Sequence, residues 1–271
     1  MIERKIDSSI VEDLYKPPRN SHKGDNGRLL IIGGSKKFHG APLFAAKIAS
    51  KIVDLVYFSS VPENNELIKK MKSSLAVFIT IDRKEVFTVA EKVDAILIGP
   101  GLGISADTEK LTNAVLEKLP HKKLILDADS LKILDKRLLN PNCVVTPHKG
   151  EFEILFGKPA TKKTVFEAAK RYNCIVVSKG AEDYISDGER FSVNTNGNAG
   201  MTKGGTGDVL AGLLAAMACK NDLFLAACVG VFINGLAGDR LKEKVSFYYN
   251  ASDLIDEIPK TMAEILNNNQ T

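Results

Sequence analysis

Residues 95–103 read AILIGPGLG. Four consecutive apolar residues break into a turn of three glycines and a proline, the pattern of a strand with no polar face. Such a strand is buried on both sides, so it belongs inside a sheet covered by helices. The same grammar recurs on either side of it, in RLLIIGG at 28–34, KLILDADS at 123–130, CVVTPHKGE at 143–151 and CIVVSKG at 174–180. Helical periods fill 41–51, 64–72, 105–118 and 161–172, further strands are DLVYFSS at 54–60 and LAVFITI at 75–81, and helices dominate 204–266. This alternation predicts an α/β domain, a mostly parallel central sheet between helical layers. One segment departs from it: DYISDGERFSVNT at 183–195 carries Asp-Gly and predicts an antiparallel hairpin at the sheet edge. Residues 1–22, with Pro17-Pro18, read as an arm leading into the core, and NNNQT at 267–271 reads as a frayed tail.

A chain of 271 residues with 44% hydrophobic content supports one domain, 1–271. The 37 basic and 33 acidic residues form no block of like charge able to track a phosphate backbone, which argues against nucleic acid as a partner. Cys143, Cys174, Cys219 and Cys228 show neither a C-x-x-C pair nor metal spacing, and a reducing cytoplasm suits them. No stretch near the start resembles a signal peptide. The longest apolar runs, 209–219 and 224–233, fall short of the ~20 residues that span a bilayer and read as core helices, so no membrane is expected.

In open parallel sheets ligands gather beyond the carboxyl ends of the strands. Here those positions hold GGS (33–35), GPGLG (99–103), DADS (127–130), TPHKGE (146–151) and SKG (178–180), most of them expected on one rim. Late in the chain, GGTGD at 204–208 precedes VLAGLLAAM. Glycines at a helix start bring unpaired N–H groups and the positive dipole end onto an anion. Asp208 does not suit that role, since a carboxylate repels bound phosphate. A base explains it better, taking the proton of a substrate hydroxyl as that oxygen attacks a terminal phosphoryl group. The competing reading is an ordinary helix cap on a tight turn. Neither a Walker A loop nor a dinucleotide fingerprint is present.

SHKGDNGRLLIIGGS, GAPLFAA, AILIGPGLG, LILDADSL, VVTPHKGEFEILFG, VVSKG and NAGMTKGGTGDVLAGLLAA, in that order, resemble the NAD(P)H-hydrate dehydratase family of the ribokinase-like superfamily. The resemblance implies a three-layer ribokinase-like fold and repair of the hydrates of NADH and NADPH. In that chemistry ADP or ATP, with ADP ahead, phosphorylates the C6 hydroxyl, and phosphate then leaves. It further implies that Asp208 is the base and that Gly204, Gly205, Thr206 and Gly207 cradle phosphate. Lys179, Gly180, Ala181, Glu182 and Asp183 would border the adenine nucleotide, while Ala41, Gly103 and His148 face the hydrate. From the residues alone, Ala41 reads as a helix start, His148 as a locally bonded loop histidine, and Lys179 as a solvated strand end. Glu151 stands three residues after His148, the spacing of the superfamily's Asn-x-x-Glu, and is assigned to Mg2+ through water or to a first helical turn. Lys203 is either a phosphate contact or a plain loop lysine.

The family also implies a homo-oligomer, a tetramer, and a functional partner, NAD(P)H-hydrate epimerase. Some relatives carry that partner as an amino-terminal domain. About 22 residues precede the matching stretches, so this chain is expected to lack it. Two other readings compete: a small-molecule kinase of the same fold acting on a thiazole, pyrimidine or sugar alcohol, and a nucleotide-sensing module without turnover.

Overall fold

Consecutive side chains of a strand point to opposite faces, and in the central strands both sets are apolar. Leu29, Ile31, Leu97, Ile125, Val144 and Val177 enter one core, while Leu30, Ile32, Ile96, Ile98, Leu126 and Val145 enter another. Two cores on one sheet make three layers. The computed structural model describes residues 2–70 and 77–268.

Along the chain the elements are β1 (Glu3–Lys5), β2 (Arg28–Ile32), α1 (Gly40–Ala49), β3 (Leu55–Ser59), α2 (Pro62–Lys70), β4 (Ile79–Ile81), α3 (Val86–Ala90), β5 (Ala95–Ile98), α4 (Ala106–Lys118) and β6 (Lys123–Leu126). There follow α5 (Ser130–Ile133), β7 (Cys143–Val145), α6 (Lys149–Phe156), α7 (Lys162–Tyr172), β8 (Ile175–Ser178), β9 (Asp183–Ser186), β10 (Phe191–Asn194), α8 (Thr206–Ala218), α9 (Leu223–Val245) and α10 (Ala251–Asn268). The sheet order is β1-β10-β9-β8-β7-β6-β5-β2-β3-β4. From β8 through β4 every pairing is parallel. One face is covered by α1, α8, α9 and α10, the other by α3, α4, α6 and α7.

Local signals placed most boundaries. Ser105 and Thr161 cap α4 and α7 with reciprocal capping boxes, and α6 ends on Gly157 at φ 71. The hairpin of β9 and β10 is antiparallel as expected, but it is not the edge. β1, drawn from the amino-terminal arm, pairs parallel with β10 outside it. The short charged segment Glu3–Lys5 carries no strand pattern; Ile6 and Val11, buried in the core beside it, anchor the arm there. The tail expectation holds for neither described residue, since Asn267 and Asn268 continue α10; residues 269–271, like 71, 72, 75 and 76 of the expected helix and strand near α2 and β4, lie outside the described residues. Helix α9 is long and apolar enough by length and composition to cross a membrane, yet most of it is buried in the protein's own core.

Candidate active site

The helix that carries Asp208 begins on a backbone that only glycine accommodates. Gly205 caps α8 at φ 95, and a Cβ there would stand 2.6 Å from the Phe44 ring and 2.9 Å from Cβ of Ala251. No side chain caps the helix. Thr206 Oγ1 instead bonds the carbonyls of Met201 and Lys203 at 2.5 and 2.8 Å, holding the preceding loop. The N–H groups of Gly207 and Asp208 find no acceptor among the described residues, so the α8 terminus presents free donors and its positive end. Asp208, the third residue of the helix, is not its cap. Burial, with the charges of Asp127, Asp129 and Glu151, pushes its carboxyl up to about 7 against the pull of Lys179. That value suits a base working near neutral pH.

Lys179 is far from a solvated strand end. Its Nζ stands 2.8 Å from Oδ1 of Asp127, with the two side chains 19% and 3% exposed. Burial alone would lower the ammonium, but Asp127, Glu151 and Asp208 outweigh it and the group is raised. Asp127 Oδ1 also accepts from Thr146 Oγ1 at 2.7 Å. Between the two aspartates of DADS, Ala128 adopts φ 51, a conformation that L residues rarely take. The turn leaves Asp127 facing Lys179, while Asp129 Oδ2 accepts from the Gly103 N–H at 2.9 Å. In the sequence, Asp127, Asp129 and Thr146 are marked only by their place on the rim after β6 and β7.

His148 does cap α6. Its Nδ1 accepts from the N–H groups of Gly150 and Glu151 at 3.0 and 3.3 Å, and Glu151 Oε2 accepts in return from the His148 N–H at 3.0 Å. The local reading of His148 therefore holds, and its ring stays 60% exposed on the rim. Lys179 N–H donates to Pro147 O at 2.9 Å, binding this loop to the end of β8. Ala41 lies in the first turn of α1 against the glycine turn after β5: a Cβ on Gly101 would meet its Cβ at 3.3 Å. Gly103 completes that turn beside Ser35.

Among the described residues no group of three or more His, Cys, Asp or Glu is arranged to hold a metal directly. Glu151 is buried, with one oxygen engaged by the His148 N–H and the other 3.5 Å from the ring. This donor set suits a hydrated Mg2+ held through water and nucleotide phosphates, since that ion keeps most of its waters.

Beside Asp208 opens a cavity of about 420 Å³. Of the residues assigned to the nucleotide, Lys179, Gly180, Ala181, Asp183, Thr206 and Gly207 line it. Glu182, Gly204 and Gly205 do not. Glu182 is exposed and accepts from Tyr184 Oη at 3.0 Å. Half-buried Asp183 is raised by desolvation, opposed by hydrogen bonds from Asn194 and Gly180. Asn198 and Asn234 also line the cavity, although the sequence reading gave them no role. Lys203 matches neither of its readings: its ammonium reaches the carbonyl oxygens of Phe247 and of Tyr249, the latter at 2.7 Å, and so ties the glycine loop to the segment before α10.

A bifunctional NAD(P)H-hydrate repair enzyme of Methanocaldococcus jannaschii is 39% identical over 93% of this chain and 51% of its own length. The chain thus spans about half the length of the curated relatives of that kind. An ADP-dependent (S)-NAD(P)H-hydrate dehydratase of Cenarchaeum symbiosum is 36% identical over 90% of this chain and 91% of its own length. In fold, the ADP/ATP-dependent NAD(P)H-hydrate dehydratase of Bacillus subtilis, crystallised with ATP and Mg2+, superposes with a TM-score of 0.83 at 24% identity, covering 97% of this chain and 98% of that one. A buried carboxylate on a glycine-opened helix, a ribokinase-like sheet and a family profile for NAD(P)H-hydrate dehydratase that matches residues 29–260 converge, and the chain belongs to that family.

Proposed function

We propose that this protein dehydrates the hydrates of NADH and NADPH at the expense of an adenine nucleotide, ADP ahead of ATP. The observation that carries the reading is Asp208, raised to about 7 on a helix terminus whose N–H groups are free. The C6 hydroxyl of the hydrate is a poor leaving group. With Asp208 taking its proton, that oxygen attacks the terminal phosphorus of the nucleotide, the bond to the bridging oxygen breaks, and AMP or ADP departs. The C6–O bond of the phosphate ester then breaks as C5 loses a proton, which restores the ring double bond and releases phosphate. The free N–H groups of Gly207 and Asp208 and the Lys179 ammonium face the growing negative charge. Mg2+, when bound beside Glu151, would neutralise phosphate charge.

The names of relatives support the substrate and ADP. The bifunctional relatives support an epimerase as functional partner. We further infer a homo-oligomer, a tetramer, in a reducing cytoplasm; four buried free cysteines support the compartment, and a light-scattering mass tests the assembly. The main test mixes protein with acid-generated NADH hydrate and ADP or ATP and follows the return of dihydronicotinamide absorbance. Recovery is expected with ADP; none with either nucleotide defeats the proposal.

A further inference from the structure

The cavity beside Asp208 extends from Lys179 and Gly207 to a wall made by α9, where Val231, Asn234 and Gly235 line it. Asn234 is 5% exposed and sits in an otherwise apolar stretch of that helix. Its Oδ1 has no hydrogen-bond partner among the described residues. Native proteins rarely leave a buried polar atom unpaired, and an amide kept in an apolar wall needs a reason. Nearby amides show the contrast. Asn194 Nδ2 donates to Asp183 at 2.9 Å, and Asn198 Nδ2 donates to Asp239 at 2.9 Å. Asn234 stands among Leu210, Met201 and Val231, side chains that offer a flat ring only apolar contact.

An amide carries an acceptor beside a donor, and a half-turn about its last torsion exchanges the two. The N6/N7 edge of adenine carries the complementary donor and acceptor, whereas the same edge of a 6-oxopurine presents two acceptors. We propose that Asn234 selects the base of the bound nucleotide by pairing with the adenine N6/N7 edge. This rests on the nucleotide reading of the cavity and adds to it the residue that sets base preference.

Equilibrium binding of ADP and IDP to the whole protein and to Asn234→Ala tests the idea. Parent protein is expected to hold ADP about ten-fold or more tighter than IDP. In Asn234→Ala, ADP should weaken until that ratio falls close to one, with IDP within about three-fold of its parent affinity. Equal affinity for ADP and IDP in the parent, or an unchanged ratio in the variant, overturns the inference while leaving the nucleotide site standing. Failure of both nucleotides to bind overturns the site and the inference together. Should the substitution prevent folding, 7-deaza-ADP and the diphosphate of purine riboside, which lack N7 and the amine in turn, settle it on the parent alone. Each is expected to bind more weakly than ADP, and affinities matching ADP for both would sink the proposal.

Discussion

Lys179 Nζ lies 2.8 Å from Oδ1 of Asp127, across 52 residues of chain, and both side chains are largely withdrawn from water. The pair acts on the Asp208 carboxyl in opposite directions. Asp127 raises the Asp208 carboxyl, and Lys179 lowers it. Neither group acts alone, because each would be costly to bury without the other.

Replacing Lys179 with Met strands the Asp127 carboxylate. The loss should be about 3–5 kcal/mol of folding stability at neutral pH, read from denaturant midpoints, because removing one partner of a buried pair leaves an unpaired charge. A loss under about 1 kcal/mol would mean that the pair is solvated.

Asp208→Asn separates stability from turnover. The folded carboxyl titrates near 7 instead of 3.8, so between those values the folded state holds a proton that the unfolded chain has released. Parent stability therefore falls as pH rises from about 4 to about 7 and levels off above. Asparagine removes that penalty, and the variant should be more stable than the parent at pH 8 by on the order of 2–4 kcal/mol, and little different at pH 4. Turnover should fall about 10²- to 10⁴-fold while nucleotide still binds, measured by single-turnover kinetics beside calorimetric titration.

The acid limb of the pH–rate profile should lie near pH 7, where the base loses its proton. In Asp127→Asn the largest charge raising Asp208 disappears and Lys179 is freed toward it, so the limb should move to lower pH by about half a unit or more. An unmoved limb would assign it to a different group.

Two adjacent glycines should respond in opposite ways. Gly205→Ala forces a side chain into φ 95 and against the Phe44 ring, and should cost about 1–3 kcal/mol of stability along with turnover. A Cβ on Gly204 meets nothing within 4 Å, so Gly204→Ala should leave stability within about 0.5 kcal/mol. If Gly204 borders bound phosphate, its variant should still raise the KM for nucleotide, a split that steady-state kinetics reads directly.

Hydrophobic period and turn residues determined most of this protein from the sequence alone: apolar strands such as 95–98 and the glycine opening of α8 are written in residues a few positions apart. Sequence also singled out Asp208, since a carboxylate on an anion-binding terminus needs a purpose. Tertiary structure alone decided the rest. It put the charged segment Glu3–Lys5 on the sheet edge, turned Lys203 onto two distant carbonyls, paired Lys179 with Asp127 and left the buried Asn234 Oδ1 unpaired in the cavity wall. Local propensity acts through neighbours along the chain, whereas pairing, desolvation and titration depend on groups that parallel crossovers bring together from far apart.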